Sequence, residues 1–451
     1  MTRWALAISL SCVVAAGCEN DDPYAGLEPD AASPSKSESA GQTPRREIPR
    51  APIVADGKLG ERLVPVKLPK AATGGTATSF RFGRENQHQG WVAQLPGGGN
   101  LLTVAYGGGR VYVSGGLDSS SMYAMDAKTG KRLWAMESMN DPGPTAPVFE
   151  DDDVAFNTYS CTMVMVDART GKARWQLWTG SETPNQPALV GKLVIAPHPN
   201  DEGGYSLSAY TRKSGSHVWS SPIDGHIINS PIVKGDAVYV TTVLGTLYKV
   251  SLDGKALWHK SLGATSAPWI DGDELHVTAR DSGKEAQLVL AAADGARLRT
   301  AAKTATRSSA PGSEDTGTIY QYDGARPVVR DGVAYIAIGG HVEARDARTD
   351  QVLWTRHHAK GESERHVNSV AVAGSLVVVT SRDGEVMALD RTTGAQRIGF
   401  SFGTPINGEP VIAEGWMYAA TAKGQVLAFD LGTGAGTDGW HQWGGNAQHN
   451  L

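Results

Sequence analysis

Asparagine side chains stand at one repeated position of this 451-residue chain, where they could bind a small polar ligand. They occur at the start of segments that predict short inner strands: Asn185, Asn229, Asn368 and Asn407. An amide offers both a donor and an acceptor, so a ring of amides around a channel could hold a polar molecule. The structural alternative is that asparagine bonds the local backbone and tolerates unusual φ angles. The sequence leaves both interpretations open.

Two tyrosines, Tyr320 and Tyr322, lie in a long insertion over residues 304–324. Tyrosine combines an apolar ring with a hydroxyl group, which suits a protein interface. The insertion follows an outer strand, so we expect it on the same face of the molecule as the four asparagines. We predict that this face binds a protein partner; the alternative is a solvent-exposed loop without such a role.

The sequence shows no pattern typical of a catalytic or metal site. His226 and His366 lie near Asn229 and Asn368, but no Cys, Asp or Glu stands beside them at the spacing of metal ligands. The chain contains no nucleophile elbow, no zinc-protease helix and no phosphate-binding loop. Cys161 lies in an apolar run and is predicted to be a small core residue. We therefore predict no catalytic residue and no bound metal.

The N-terminus predicts export and attachment to a membrane. Residues 1–18 contain one basic residue, a short apolar run and small residues before Cys18. The end of this run resembles the lipobox of bacterial lipoproteins, in which the cysteine is lipidated; an ordinary signal peptide cleaved nearby is the alternative. Residues 19–79 are predicted to form a flexible linker. A formal net charge of −5 without a basic cluster argues against nucleic acid as a partner.

Repeats of about 40 residues form the elements that would position these residues. Such repeats indicate a propeller or a solenoid, because one repeat cannot bury its own apolar faces. Each repeat has a turn position, and eight can be followed: Gly130, Gly171, Gly215, Gly254, Gly295, Asp350, Gly394 and Gly434. Alternating apolar residues before and after each turn predict four short strands in each repeat. We predict an all-β, eight-bladed propeller of four-stranded antiparallel blades over residues 80–451.

Two further positions of the repeat have structural roles. An aspartate before the turn can accept hydrogen bonds from backbone N–H groups, as at Asp126 and Asp167. A tryptophan after the turn can fill the space between neighbouring blades. The tryptophans at this position are Trp134, Trp175, Trp219, Trp258 and Trp354. The last repeat lacks its outer strand, and residues 90–95 with Trp91 are predicted to supply it and so close the ring.

The segment from Ala124 to Trp134 reads AxDxxTGxxxW and resembles the PQQ-type (pyrroloquinoline quinone) propeller repeat, over about residues 80–451. Segments 82–88 and 443–449 are similar to a tag that often flanks such propellers. We expect both tags to act as clasps at the ring closure. A ligand site built from His88 and His449 is the alternative.

The resemblance implies one of two functional branches. Quinoprotein dehydrogenases hold PQQ and calcium beside an adjacent cysteine pair, and no two of this chain's cysteines are adjacent. The second branch comprises lipoprotein propellers similar to BamB, which act as scaffolds of outer-membrane assembly without a cofactor. We therefore expect a non-enzymatic scaffold, monomeric by itself and lipid-anchored at the outer membrane facing the periplasm, that binds an envelope protein. A quinone-dependent oxidoreductase and a carbohydrate- or peptide-binding surface protein are the alternatives.

Overall fold

The computed structural model describes residues 57–71, 75–96, 104–115, 119–137, 145–158, 160, 162–179, 185–199, 204–228, 230–281, 284–301, 328–338, 340–361, 367, 369–406 and 410–432. Several predicted features lie outside these residues. They are the signal and lipidation site at Cys18, Cys161, Asn229, Asn368, Asn407, Tyr320, Tyr322, His366, Gly434 and the segment 443–449. Within the described residues, no helix is long and apolar enough to cross a membrane.

Three short strands precede the first complete blade. They are β1 (Val64–Pro65), β2 (Thr78–Phe82) and β3 (His88–Gln94), with a single 3₁₀ turn at Arg84–Asn86 between β2 and β3.

Eight antiparallel sheets then follow one another along the chain. Blade 1 consists of β4 (Ala105–Gly107), β5 (Arg110–Ser114), β6 (Ser121–Asp126) and β7 (Arg132–Glu137). Blade 2 consists of β8 (Val148–Glu150), β9 (Asp153–Asn157), β10 (Thr162–Asp167) and β11 (Ala173–Trp178). Blade 3 consists of β12 (Ala188–Val190), β13 (Leu193–Pro199), β14 (Tyr205–Thr211) and β15 (His217–Ile223). Blade 4 consists of β16 (Ile232–Lys234), β17 (Ala237–Thr241), β18 (Thr246–Ser251) and β19 (Ala256–Ser261).

The second half of the ring repeats this arrangement. Blade 5 consists of β20 (Trp269–Asp271), β21 (Glu274–Asp281), β22 (Lys284–Ala291) and β23 (Arg297–Ala301). Blade 6 consists of β24 (Val328–Arg330), β25 (Val333–Ile338), β26 (His341–Asp346) and β27 (Val352–His357). Blade 7 consists of β28 (Ser369–Ala373), β29 (Leu376–Thr380), β30 (Glu385–Asp390) and β31 (Gln396–Ser401). Blade 8 consists of β32 (Val411–Ala413), β33 (Trp416–Ala420), β34 (Gln425–Asp430) and β3 from the N-terminal side.

This architecture confirms the predicted all-β propeller of eight four-stranded blades. The middle strands are buried on both faces because each blade lies between two others, and all five residues of β17 are buried. That burial explains the near-continuous apolar runs of these strands. In blade 8, β3 pairs antiparallel with β34 over the register from Gly90 opposite Phe429 to Gln94 opposite Gln425.

The turn between the third and fourth strands shows how the repeat determines the local structure. In blade 1, Asp126 Oδ1 accepts hydrogen bonds from the backbone N–H groups of Lys128 (3.2 Å) and Thr129 (2.8 Å) and from Thr129 Oγ1 (2.7 Å). Gly130 closes the turn with a φ of 66°. Asp167, Thr170 and Gly171 repeat the arrangement in blade 2.

The N-terminal segment 57–71 lies on the outer edges of blades 6 and 7, and we call it the belt. Leu59 is fully buried and forms a parallel bridge with His358, and β1 pairs in parallel with β31. Gly60 permits the close approach, since a Cβ there would lie 2.7 Å from His358 Nε2. Apolar residues of the belt, such as Leu59 and Val66, thus gain burial on the blades within the segment predicted as a linker.

Most neighbouring blades are joined by shared apolar clusters, and the junction of blades 5 and 6 differs. Among the described residues, the other seven junctions each contain a cluster with side chains from both blades. The small cluster facing blade 5 comprises Val329, Ala334 and Ile336 of blade 6 alone, with Ala347 packed against it. On the facing surface of blade 5, the buried Trp269 and Val289 lie beside the polar side chain of His276, which is opposite both in the strand register.

Candidate functional site

The propeller has two ends, and we call one of them the upper end. It is the end at which the second and third strands of each blade are joined and at which the chain passes to the next blade. Loops at the ends of a propeller supply much of its free recognition surface, because the blade faces are buried against one another. Asn185, the predicted asparagine that the structure describes, lies at this end, where its backbone oxygen is bonded by Asn157 of β9.

The blade-4 hairpin between β17 and β18 presents two apolar side chains to solvent at this end. Val243 is 41 % exposed and Leu244 is 65 % exposed. Thr242 and Thr246 close the loop through an N–H···O bond of 2.9 Å, and Gly245 adopts a φ of 88°. We call Val243 and Leu244 the apolar tip.

Backbone hydrogen bonds hold the apolar tip against the connections on both sides of it. Val243 N–H donates to His226 O (2.8 Å), and Ile227 forms an antiparallel bridge with Thr242. On the other side, the N–H groups of Leu262 and Ala264 donate to Gly245 O at 3.1 and 3.0 Å. Because the backbone is fixed at several points, little conformational entropy would be lost when a partner contacts the tip.

Polar groups surround the apolar tip. Tyr205 Oη lies 3.2 Å from His226 Nε2, in the connection that leads to blade 4. Thr246 Oγ1 donates to Asp224 Oδ2 (2.5 Å), and Asp224 N–H donates to Tyr248 Oη (3.1 Å). An apolar centre with a polar rim is the usual composition of a protein-recognition surface.

A second large apolar side chain is exposed at the upper end, on blade 2. Trp178 ends β11 with 63 % of its surface exposed, and its Nε1 donates to Ser160 O at 3.1 Å. Tryptophan is enriched among the residues that dominate binding energies at interfaces. The upper end of blades 2 and 4 therefore offers rigid apolar anchors for a partner.

The site residues predicted from the sequence do not include the apolar tip or Trp178. Asn185 is only 7 % exposed, and its backbone oxygen accepts a hydrogen bond from Asn157 Nδ2 at 3.0 Å. Little of the Asn185 amide faces solvent, and the other five predicted partner-binding residues lie outside the described residues. His88 is buried, with Nδ1 3.0 Å from Asp430 O and its ring stacked on Phe82 at 5.3 Å.

Sequence reasoning missed the apolar tip, although a signal was present. The two strands of the hairpin are separated by Thr-Val-Leu-Gly, a turn in which polar residues would be expected. Two consecutive apolar residues in a turn depart from the polar composition that loops usually have. Trp178 gave no comparable signal, because a strand residue's exposure depends on its neighbours.

No three His, Cys, Asp or Glu side chains come together as possible metal ligands in the part of the chain that the structure describes.

The blade-5 surface that faces blade 6 carries charged and polar side chains. Arg299 stands where six of the other blades have tryptophan. It forms a bidentate pair with Glu274 at 2.5 and 2.6 Å and donates to Ala347 O of blade 6 at 2.7 Å. Burial against Trp269 lowers the pKa of His276 to about 4. His276 Nε2, Trp269 Nε1 and Arg299 Nε have no hydrogen-bond partner among the described residues.

A protein-family model described as "outer membrane protein assembly factor BamB" matches residues 58–205, 187–333 and 339–449 of this chain. The BamB protein of Xanthomonas campestris pv. campestris is 25 % identical over 352 residues, which cover 72 % of this chain and 80 % of that protein.

Dehydrogenases with the same repeat are also similar to this chain, over a shorter length. A quinoprotein ethanol dehydrogenase of Pseudomonas aeruginosa is 28 % identical over 173 residues, so the chain spans about a quarter (26 %) of that relative and the match covers 34 % of this chain. Among solved structures, BamB from Moraxella catarrhalis superposes with a TM-score of 0.55 at 16 % identity, covering 79 % of this chain and 97 % of that one. At that identity the superposition shows the fold.

Proposed function

Because the chain belongs to the family described as outer membrane protein assembly factor BamB, we propose that it is a protein-binding scaffold of the cell envelope that assists outer-membrane protein assembly. The proposal makes the chain a non-enzymatic binding protein, monomeric by itself, that contacts an envelope protein. Membership of this family supports the proposed process, and we assign the contact surface to the loops at the upper end.

The apolar tip is the observation that supports this proposal. Its two side chains are exposed on a loop that the connections before and after blade 4 hold through backbone hydrogen bonds. Placing such residues in water is unfavourable, at about 25 cal/mol for each Å² of apolar surface. A partner that covers Val243 and Leu244 recovers this free energy, and the surrounding polar groups orient it.

A lipid at Cys18 would place the scaffold at its site of action. The proposal assigns residues 1–18 to a signal peptide and Cys18 to the lipid, at the outer membrane facing the periplasm. Lipid chains add roughly 0.8 kcal/mol for each buried methylene group, so two or three chains hold a protein firmly at a membrane.

The alternative is the quinone-dependent oxidoreductase that the dehydrogenase relatives represent. That branch implies an adjacent cysteine pair over PQQ, and the cysteines of this chain stand at positions 12, 18 and 161. The proposal therefore includes neither PQQ nor calcium. An absorbance titration of the purified chain with PQQ and calcium should give no saturable change. A saturable change with alcohol-dependent dye reduction would support the enzyme instead.

The binding role is tested by replacing the chain in its own host with a variant carrying Val243→Asp and Leu244→Asp. We expect lower amounts of folded outer-membrane β-barrel proteins, measured by their heat-modifiable mobility on gels. The matched control is Leu133→Asp, an apolar-to-acidic change at a side chain 44 % exposed on the outer strand of blade 1.

Both variants should retain the urea unfolding midpoint of the parent chain, since all three positions are exposed. If the tip variant supports β-barrel assembly as well as the control does, the apolar tip is not the binding surface. If deletion of the whole chain leaves assembly unchanged, the assembly role itself is wrong.

A further inference from the structure

One repeated position of the propeller carries buried polar side chains whose oxygens lack a partner. It is the fifth residue of the second strand, at the upper end of the blade. Five blades have a hydroxyl or amide side chain there: Ser114, Asn157, Thr241, Thr278 and Thr380. Each residue is at most 2 % exposed, and one side-chain oxygen of each has no hydrogen-bond partner among the described residues. Since an unpartnered buried oxygen is costly, its recurrence in five repeats indicates a common role.

The side chain at this position faces the next blade. Alternate residues of a strand lie on the same face, so Thr241 faces the same way as Tyr239, two positions earlier. Tyr239 lies in the apolar cluster shared by blades 4 and 5, and its hydroxyl donates to Ala292 O of blade 5 at 3.0 Å. Ser114 likewise shares a face with Tyr112, which packs in the cluster of blades 1 and 2. The unpartnered oxygens therefore lie inside the junctions between blades.

Blade 2 shows what this position does when the side chain is longer. Asn157 Nδ2 donates to Asn185 O, in the connection that enters blade 3, at 3.0 Å. This bond joins the upper ends of two neighbouring blades. The hydroxyl of serine or threonine ends one atom nearer the backbone than the amide nitrogen of asparagine. Because Ser114 Oγ and Thr241 Oγ1 have no partner, neither makes the equivalent bond directly.

The repeat identifies the matching acceptor at two junctions. Asn185 stands two residues before the proline that directly precedes the inner strand of blade 3. The same spacing places Thr145 at the junction of blades 1 and 2 and Ser266 at the junction of blades 4 and 5. Both residues are 1 % exposed. Their backbone oxygens are therefore the equivalents of Asn185 O, opposite a side chain that is one atom too short.

We propose that each of these two junctions binds one ordered water molecule. At the junction of blades 4 and 5, Thr241 Oγ1 donates to the water and the water donates to Ser266 O. At the junction of blades 1 and 2, Ser114 Oγ and Thr145 O hold a water in the same way. The ligand is water because both hydroxyls are fully buried, which leaves no access for a larger molecule. A water that bridges two polar groups is enthalpically nearly as good as a direct hydrogen bond.

A crystal structure of the full chain, at a resolution that shows ordered water, tests the proposal directly. We expect a water within about 3.2 Å of both Thr241 Oγ1 and Ser266 O. A second water should lie within the same distance of Ser114 Oγ and Thr145 O. A direct bond between the hydroxyl and the backbone oxygen at these junctions would overturn the proposal, and so would the lack of solvent density between them.

The urea unfolding midpoint of a Thr241→Val variant provides a second test in solution. Valine keeps the shape of the side chain and removes the hydroxyl. If the hydroxyl binds water, its loss leaves Ser266 O with one partner fewer, so the midpoint should fall. If the hydroxyl has no partner at all, a methyl group in its place should raise the midpoint.

The matched control is Thr242→Val, at the next residue of the chain. Thr242 is also fully buried, and its Oγ1 accepts a hydrogen bond from Thr246 N–H at 3.3 Å. Losing this protein partner should lower the midpoint, and Thr241→Val should lower it in the same direction. A midpoint of Thr241→Val equal to or above that of the parent chain would overturn the proposal.

Discussion

At the scale of single residues, a tryptophan of the outer strand joins six of the eight blades to the next by two contacts. Trp134 Nε1 donates to Ala168 O of blade 2 at 2.9 Å, and its ring lies against Gly171, where a Cβ would approach it to 2.6 Å. The glycine is therefore needed for its positive φ and for the space that the indole fills. Equivalent indole-to-backbone bonds are formed by Trp91, Trp175, Trp219, Trp258 and Trp354.

Replacing Trp134 with alanine should lower the free energy of unfolding by about 3–5 kcal/mol, because a large buried aromatic ring and its hydrogen bond are lost. The matched control is Trp178→Ala, whose side chain is 63 % exposed. That change should cost about 1 kcal/mol or less, mainly the bond to Ser160. Urea unfolding curves measure both, and equal midpoints for the two variants would contradict the stacking role.

His276 should make the fold less stable in mild acid. Burial lowers its pKa from 6.5 to about 4 in the folded chain. Between these values the unfolded chain binds a proton that the folded chain does not, so stability falls as the pH drops from 6.5 towards 4. At about 1.4 kcal/mol for each pKa unit, the loss is on the order of 3 kcal/mol.

His276→Asn should remove this part of the pH dependence, since asparagine does not titrate and its Oδ1 can accept the hydrogen bond that Gln287 shares with His276 Nδ1. Unfolding midpoints in urea at pH 7 and pH 5 provide the measurement. His217→Asn, at an exposed histidine, should leave the difference between the two pH values as in the parent chain. If the His276 variant shows the same difference between its midpoints at pH 7 and pH 5 as the parent chain, another group causes the loss of stability in acid.

At the scale of elements, the last blade depends on a strand from the opposite end of the sequence. β3 pairs with β34, and β2 adds a fifth strand beside it. Phe82 at the end of β2 packs edge-on against Phe400 of blade 7 and Phe429 of blade 8, at centroid distances of 4.8 and 5.5 Å. His88 binds the backbone of Asp430 in the same region. The N-terminal tag therefore fastens blades 7 and 8 together.

Deleting residues 78–94 should expose the edge of β34 and cause aggregation, because an unpaired strand edge is a template for pairing with other chains. Light scattering during incubation at 37 °C measures this. As a control, replacing residues 57–65 with a Gly-Ser linker removes the belt contacts and leaves β3 in place. That variant should remain monodisperse, and aggregation of both variants at the same rate would assign the effect to general destabilisation.

At the scale of the whole molecule, the ring has one junction of a different chemical kind. Seven junctions contain an apolar cluster with side chains from both blades. At the junction of blades 5 and 6, among the described residues, Val289 is buried in register between His276 and Arg299, and Glu274 and Gln287 bond those two side chains. Apolar burial contributes about 25 cal/mol for each Å². Buried polar groups left without partners cost about 1–3 kcal/mol each. The junction of blades 5 and 6 should therefore be the weakest in the ring.

Partial unfolding should begin at this junction. Hydrogen exchange in urea below the unfolding midpoint should be fastest in β20–β25, compared with the equivalent strands of blades 1 and 2. Blades 1 and 2 share a cluster that contains Tyr112, Phe156 and Trp134, and they serve as the internal control. Uniform exchange around the ring would show that the eight junctions are equally stable.

The sequence determined the features that arise within one repeat. The turn at Asp126 and Gly130 involves residues at most a few positions apart, so their types and spacing were sufficient to predict a strand-turn-strand unit. Repetition of that unit at a steady interval predicted the eight-bladed ring and its family, and both predictions are confirmed. Local hydrogen bonds and a repeated register are visible in a sequence because neither requires a distant partner.

The tertiary structure alone decided the features that depend on distant partners. The belt was predicted to be part of a linker, and Gly60 N–H bonds Gln396 Oε1 336 positions away in the sequence. Leu59 is buried and Leu298 is exposed although both are leucines near an outer strand, because only the first lies where two segments of the chain meet. Exposure of Val243, Leu244 and Trp178 is likewise set by what surrounds each side chain. The sequence specifies the type of each residue, and only folding determines which neighbours remove it from water.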